Sequence, residues 1–392
     1  MTQTIDPNSI VEAIARCLPP GTSPLPLHEP VFRGREWAYV KECLDSGWVS
    51  TAGPFVDRFE RELERTTGAR HAVAAVNGTA ALHLALLLAG AGRDDEVIVP
   101  SLTFVATANA VTYCGAVPHF ADCDEKTMGI DPSKLAGYLE DAAEVRGEEC
   151  FNRRTGRRIA AVAPVHVFGH PVDLDPLADL CSRFRVKLVE DAAESLGSLY
   201  KGKHTGTLGL AAALSFNGNK IVTAGGGGAI LTNDGEIARR AKHLSTTARV
   251  PGEWEFRHDE TGYNYRLPNL NAALGLAQLE QLPGFLESKR ALARKYLTAF
   301  EGVRGARIFR EQEHVRSNCW LNVLVLDDAG LTREILERTH RRGILTRPCW
   351  SLLHRLPMYR GCPRMDLTVA EGLEGRIVCL PSSAGLEGTD AG

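Results

Sequence analysis

From residue 71 to residue 233 the chain alternates short apolar runs with stretches of helical periodicity, and few folds accept that rhythm. Strands buried on both faces read as continuous apolar runs, and the helices between them carry the chain back across a parallel sheet. The strand candidates are His71–Val76, Glu96–Pro100, Val117–Asp122, Ala160–Phe168, Lys187–Asp191, Ala212–Asn217 and Gly227–Asn233. Helical patterns at Thr79–Ala89, 103–114 and 173–184 supply crossovers. The expected fold class is therefore α/β, with one wide, mostly parallel, seven-stranded sheet.

On either side the pattern changes. Ile10, Val11, Ile14 and Leu18 fall at helical spacing and stop at Pro19-Pro20-Gly21, which predicts a short amphipathic helix. Helices are expected at about 33–46 and at 54–67, the latter repeating Phe55, Phe59 and Leu63. Long helical patterns at 271–282 and 286–300 lead into strand-like runs at 320–326 and 376–380, with a helix near 331–342. The expected division is an N-terminal helical extension over 1–30, a large domain over 31–280 and a smaller α/β domain over 281–392. The stretch 144–158 reads as an exposed loop or hairpin with a solvated basic cluster, and the tail 385–392 as frayed.

A net charge of −3, from 45 basic and 48 acidic residues, gives no field that would favour nucleic acid or an anionic membrane. The ten cysteines are scattered without a Cys-x-x-Cys pair, the usage of a reducing cytoplasm. No apolar run approaches the length of a membrane span.

Chemistry concentrates at Lys220, which closes the run Leu-Ser-Phe-Asn-Gly-Asn-Lys at 214–220 before Gly225 to Gly228. A partly desolvated amine at a strand end can lose its proton and attack a carbonyl as a Schiff-base nucleophile. Asp191 ends the preceding apolar strand, where a pyridinium nitrogen would find its counter-ion. These are the two protein groups that pyridoxal phosphate needs most. In Ala-Val-Asn-Gly-Thr-Ala-Ala-Leu-His at 75–83 a strand turns into a helix through Gly78 and Thr79, a ready phosphate cradle. Phe104, after the second strand, can stack on a flat heteroaromatic ring. Ser215 can offer its hydroxyl to the same phosphate, and Asn264 in Gly-Tyr-Asn-Tyr-Arg is a further donor.

As a set, Asn77-Gly-Thr-Ala-Ala-Leu82, Glu190-Asp-Ala-Ala-Glu-Ser195, Ser215-Phe-Asn-Gly-Asn-Lys220 and Gly262-Tyr-Asn-Tyr-Arg-Leu-Pro-Asn269 resemble the DegT/DnrJ/EryC1/StrS sugar aminotransferases. The resemblance runs from Ser50-Thr-Ala-Gly-Pro54 to Leu380-Pro-Ser-Ser383. Trp254-Glu-Phe, Thr346-Arg-Pro-Cys-Trp350 and Leu353-His-Arg-Leu-Pro-Met358 are similar to the subgroup that makes legionaminic acid and bacillosamine-type sugars. It implies the type I fold of pyridoxal-phosphate transferases and a homodimer with shared sites. Lys220 would hold the cofactor covalently, Asp191 would pair its ring nitrogen, and Gly78, Thr79 and Ser215 would bind its phosphate. Phe104 would stack on the ring, and Asn264 would reach the phosphate of the partner subunit's cofactor. Glu194 would approach the phenolic oxygen, at a position where many relatives carry Gln or His.

The implied reaction moves an amino group from L-glutamate to a nucleotide-linked 4-keto-6-deoxy sugar, of the UDP-2-acetamido type. Thr51, Arg249, Trp254, Arg347 and Trp350 are the candidate substrate contacts, with guanidinium groups for diphosphate and indoles for base or sugar. Other readings fare worse. No Gly-x-Gly-x-x-Gly follows the first strand, as a dinucleotide site would need. His166 and His170 are four apart but not in a helical pattern, against a metal site. A sugar dehydratase on the same scaffold would, by the resemblance, carry histidine in place of Lys220. A non-catalytic regulator or sugar-binding protein would be expected to have lost Lys220 or Asp191.

Overall fold

A computed structural model describes residues 6–386 apart from Thr22 and Glu253. Seven strands form the main sheet: β1 His71–Ala75, β2 Glu96–Pro100, β3 Val117–Ala121, β4 Ile159–Val162, β5 Lys187–Asp191, β6 Ala211–Ser215 and β7 Gly228–Thr232. Their spatial order is β1-β7-β6-β5-β4-β2-β3, with every pairing parallel except those of β7, antiparallel to both neighbours. β7 follows β6 after residues 216–227, which form no helix, and runs back antiparallel to it.

The interior of the sheet is covered on both faces. The apolar helix α4 (Gly78–Leu88) is buried from Ala80 to Leu86 and packs with α5 (Ala106–Tyr113) in one hydrophobic cluster. On the other face, α3 (Pro54–Thr67) buries Phe55, Phe59 and Leu63, as its spacing predicts, together with α9 (Asn269–Leu279). A four-stranded antiparallel sheet follows in the last hundred residues: β8 Ala306–Ile308, β9 Asn322–Leu326, β10 Arg347–Pro348 and β11 Ile377–Leu380, ordered β8-β9-β11-β10. The 18-residue helix α10 (Leu282–Ala299) packs on this sheet, and so does α1 (Pro7–Arg16).

Several expectations change in detail. The run 160–168 is not one strand. Pairing as a strand stops at Val162, and Pro164, which has no amide proton, passes the chain on as a single bridge, Val165 to Asp191. A 3-10 turn follows at Val167–Gly169, with Phe168 held at φ 58°. The stretch 144–158 does contain a hairpin, Ala143–Arg146 with Glu149–Asn152, but its basic cluster is not merely solvated. Arg158 pairs with Asp95 and Glu149, and Asn152 and Thr155 donate to the buried Glu96 carboxylate. Helices α6 (Pro132–Ala142) and α8 (Gly235–Ser245), capped by Asp131 and Asp234, lie where no helix is anticipated. Beyond Leu386 the tail lies outside the described residues.

The glycine run before β7 has a steric cause at its last member. A Cβ on Gly228 would come within 2.4 Å of the Asn77 carbonyl oxygen and 2.7 Å of the Gly78 nitrogen, both backbone atoms of the turn into α4. That turn can close on the sheet only if residue 228 has no side chain. Gly228→Ala is expected to destabilise the protein by about 2–3 kcal/mol, as overpacking against rigid backbone does. Urea denaturation of the two proteins measures the difference, and Gly226→Ala, which meets no atom within 4 Å, is the control.

Candidate active site

The parallel strands end their carboxyl edges around a cavity of 340 Å3. Three larger clefts, of 1180, 740 and 600 Å3, lie elsewhere but gather none of the site candidates singled out above. Asn77, Gly78 and Thr79 follow β1, Thr103, Phe104 and Thr107 follow β2, Asp191 and Glu194 come from the end of β5, and Ser215 and Lys220 from the end of β6. Trp320, ahead of β9, and Trp350, after β10, close it from the four-stranded side. A ligand site outside the carboxyl ends of the strands is where open α/β sheets build one.

At the turn into α4, Asn77 caps the helix by accepting the Ala80 amide at 2.8 Å. The amides of Gly78 and Thr79 belong to the first helical turn and have no intrahelical acceptor. A Cβ on Gly78 would meet the Ser215 Cβ at 2.7 Å, so the glycine lets the helix start sit directly against the Ser215 hydroxyl. Two first-turn amides, two hydroxyls and the positive end of a helix suit a phosphate.

Asp191 is fully enclosed. Its carboxylate accepts from the Thr107 hydroxyl at 2.8 Å and from the Ala193 amide at 3.2 Å. Burial pushes its pKa up against those bonds and against the nearby Lys220 and His166. A ring-nitrogen cation would relieve that desolvation, so the residue fits a pyridinium. The ring nitrogens of His166 are both engaged, Nε2 lying 3.1 Å from Glu190 and Nδ1 accepting the Val172 amide at 3.3 Å.

Glu194 accepts the Phe168 amide at 2.8 Å, an amide presented by the left-handed turn at Phe168. Its other oxygen lies 3.6 Å from the Lys220 amine. Burial pushes this carboxyl up to about 7, with Lys220 and the Phe168 amide opposing. Near neutrality it can donate a hydrogen bond or accept one. Lys220 itself is 12% exposed and rests 3.9 Å from the centre of the Trp320 ring.

Trp350 stacks on Phe168 with ring centroids 5.0 Å apart and planes 14° off parallel, and it lies 6.4 Å from Phe104. The three rings make an aromatic wall. Phe104 is 51% exposed.

The cavity thus collects Gly78, Thr79, Phe104, Asp191, Glu194, Ser215, Lys220 and Trp350, and not the remaining candidates. Thr51 lines a separate hollow of 210 Å3 with Lys242, Thr246 and Arg266. Asn264 is exposed on a ribbon bridged to Thr246. Arg249 lies over Phe256 on an exposed loop with Trp254, which is 88% exposed, and Arg347 is exposed on β10. Trp320, Thr103, Thr107, Asn217 and Asn219 line the cavity without having been singled out in the sequence. Thr107 lies one helical turn beyond Phe104 and is legible in hindsight. Trp320 is 101 residues from its partner Asn219 and has no local signal.

Residues 31–392 match the model of the DegT/DnrJ/EryC1/StrS aminotransferase family. The chain belongs to that family. It is an aminotransferase, and the family's enzymes depend on pyridoxal phosphate. It is 38% identical to the putative pyridoxal phosphate-dependent aminotransferase EpsN of Bacillus subtilis over 93% of this chain and 92% of that one. It is 37% identical to a GDP-perosamine synthase of Caulobacter vibrioides, covering 92% and 94%. Among solved structures, the aminotransferase TlmJ of Streptoalloteichus hindustanus superposes with a TM-score of 0.84 at 30% identity, covering 93% of this chain and 95% of that one. No helix among the described residues is long and apolar enough to cross a membrane.

The raised Glu194 carboxyl has a consequence for the ligand-free protein. A carboxyl whose folded pKa of about 7 exceeds its ordinary value of 4.5 contributes stability below pH 4.5, and loses it as pH rises through 7. Glu194→Gln is therefore expected to stabilise the apo protein at pH 8 by on the order of 1–3 kcal/mol, with little effect at pH 4.5. Denaturant titrations of both proteins at the two pH values check this.

Proposed function

We propose that this aminotransferase binds pyridoxal 5'-phosphate in the 340 Å3 cavity and moves an amino group from L-glutamate to the 4-keto carbon of a nucleotide-linked 6-deoxy sugar. One observation carries the reading: the amine of Lys220, the buried carboxylate of Asp191 and the Gly78–Thr79–Ser215 cradle line the same cavity.

In this proposal the cofactor, when bound, supplies a conjugated ring that draws electrons from the reacting carbon. The chain supplies the rest. Lys220 Nζ is the nucleophile that fixes the cofactor, and later takes up and returns the proton exchanged during transfer. Asp191 keeps the ring nitrogen protonated, held to that task by Thr107 and the Ala193 amide. Gly78, Thr79 and Ser215 hold the phosphate and Phe104 stacks on the ring, while Glu194 faces the phenolic oxygen. Lys220→Ala is expected to abolish covalent cofactor capture, read as loss of visible absorbance. Turnover should fall at least about a thousandfold. Retention of near wild-type turnover by this variant would remove Lys220 from the mechanism.

For the acceptor we favour a UDP-linked 2-acetamido-4-keto-6-deoxy sugar. Its support is the subgroup resemblance at 346–350 and 353–358, together with the aromatic wall of Trp350, Phe168 and Phe104, against which a sugar ring can pack. The relative that is a GDP-perosamine synthase makes a GDP-linked ketosugar the competing reading. Incubating the cofactor-loaded protein with L-glutamate and UDP-, GDP- or TDP-linked 4-ketosugars, with mass detection of amines, decides between them. Efficient conversion of the GDP sugar with none of the UDP sugar would overturn the choice.

The active unit is proposed to be a cytoplasmic homodimer, with the three-part division at residues 30 and 280 in each subunit. Exposed Trp37, Leu44 and Trp48 on and beside α2 (Glu36–Ser46), and the exposed position of Asn264, support a face meant for a second copy. Thr51, Arg249, Trp254 and Arg347 remain proposed substrate contacts, all four from parts of the chain outside its own cavity. Asn264→Ala is expected to weaken cofactor retention about ten- to a hundredfold, as loss of a hydrogen bond to a charged group does. Mixing it with Lys220→Ala should restore activity, because one site of each hybrid then has both native residues. No restoration after subunit exchange would mean that the sites are not shared.

A further inference from the structure

Trp320 is fixed from several directions at once. Its amide donates to the Asn318 side chain at 2.8 Å, and its indole Nε1–H donates to the Asn219 carbonyl at 2.8 Å. Its carbonyl accepts from Lys289 at 3.1 Å, and Lys289, wholly buried on α10, also donates to the Ser382 carbonyl. The residue is only 4% exposed. A tryptophan in the core needs one hydrogen-bond partner for its ring, and packing alone does not require an aligned cation. Here the ring face is presented to the Lys220 amine, 3.9 Å from its centre. The negative face of an indole attracts an ammonium and does little for a neutral amine.

The proposed chemistry makes that preference matter. Lys220 must be neutral to attack, and must carry a proton when it acts as an acid. We propose that Trp320 is a positioning residue whose ring face holds Lys220 in its proton-bearing form whenever the lysine is not bonded to a ligand, an inference that rests on Lys220 being the nucleophile. Glu194, 3.6 Å from the same amine, is the second group that favours the cation. Lys289 acts one step back by fixing the backbone of Trp320.

Four other titratable groups surround this pair. Asp191 and Glu194 approach from the end of β5. His28, on the segment before α2, has both ring nitrogens buried without a partner, and burial, with Lys289 and Lys220 nearby, keeps its pKa well below 6.5. Burial brings Lys289 to about 7. Because Glu194 and Lys289 both change charge near neutrality, the useful comparison is between proteins that differ only in the electron density of one ring.

The test is the pH dependence of cofactor capture by the apo protein. Neutral Lys220 attacks the aldehyde carbon of pyridoxal 5'-phosphate, a carbon–nitrogen double bond forms, and the aldehyde oxygen leaves as water. Capture, followed by absorbance after mixing, rises with pH as the ammonium is lost. Fluorinated tryptophan placed at position 320 keeps the ring's size and its N–H while weakening the negative face. The expected result is a midpoint that falls stepwise with added fluorine, by about half to one pH unit across the series. Trp320→Phe, which keeps an aromatic face, should lie closer to wild type than Trp320→Leu. The fluorinated proteins keep the test usable if the leucine variant does not fold. A midpoint unmoved by fluorination, or a phenylalanine variant displaced as far as the leucine one, overturns the proposal. A wild-type protein that captures no cofactor, or a Lys220→Ala protein that captures it equally, overturns the reading of Lys220 first.

Discussion

Burial of ionisable groups without full compensation is the constraint around which this structure is arranged. Asp191 and Glu194 are both enclosed, and in both the cost of desolvating a carboxylate exceeds what the surrounding hydrogen bonds return, so their affinity for protons rises. Such groups are expensive for a fold and useful to a ligand that brings a cation or a hydrogen-bond partner. The hydrogen bonds that do reach them come from rigid places: the first turn of α5, the chain just past β5, and the left-handed turn at Phe168. Rigid donors keep the carboxylates aimed while leaving them unsatisfied.

The second sheet contributes by placing aromatic rings on the open side of the cavity. Trp320 precedes β9 and Trp350 follows β10, strands separated in that sheet by β11. Ser101 and Glu371 tie the same region down through His354, whose ring nitrogens lie 2.8 and 3.1 Å from them. Lys289 does similar work from α10 by gathering two backbone carbonyls in the interior. Polar ties of this kind fix orientation, where apolar packing alone would leave the rings free to shift.

Much of this was legible in the chain. The alternation after residue 71 gave seven strands because a strand buried on both faces has to be apolar throughout. The segment 78–88 was unmistakable because a helix covered on all sides has to be apolar all round. Elsewhere polarity hides structure. The helices at Pro132–Ala142 and Gly235–Ser245 have capping aspartates but sit among polar residues, and the basic cluster near Arg158 looked solvated because its acidic partners are distant in sequence. Apolarity runs on past the end of β4 at Val162, because Pro164 leaves the pattern intact while removing an amide donor.

For the cavity, the division follows the same physics. The residues that the sequence alone could identify, Lys220, Asp191, Gly78, Thr79 and Ser215, sit at strand ends or at the turn of a strand into a helix. Parallel topology brings such ends to one edge whatever the loops between them do. Family motifs at those points were enough to name the chemistry. Tertiary structure alone decided that Trp320 faces Lys220, that Glu194 is drawn up toward neutrality, and that Arg249, Trp254 and Asn264 stand away from the cavity. The first depends on a contact between segments a hundred residues apart and the second on desolvation, and no local run of amino acids encodes either.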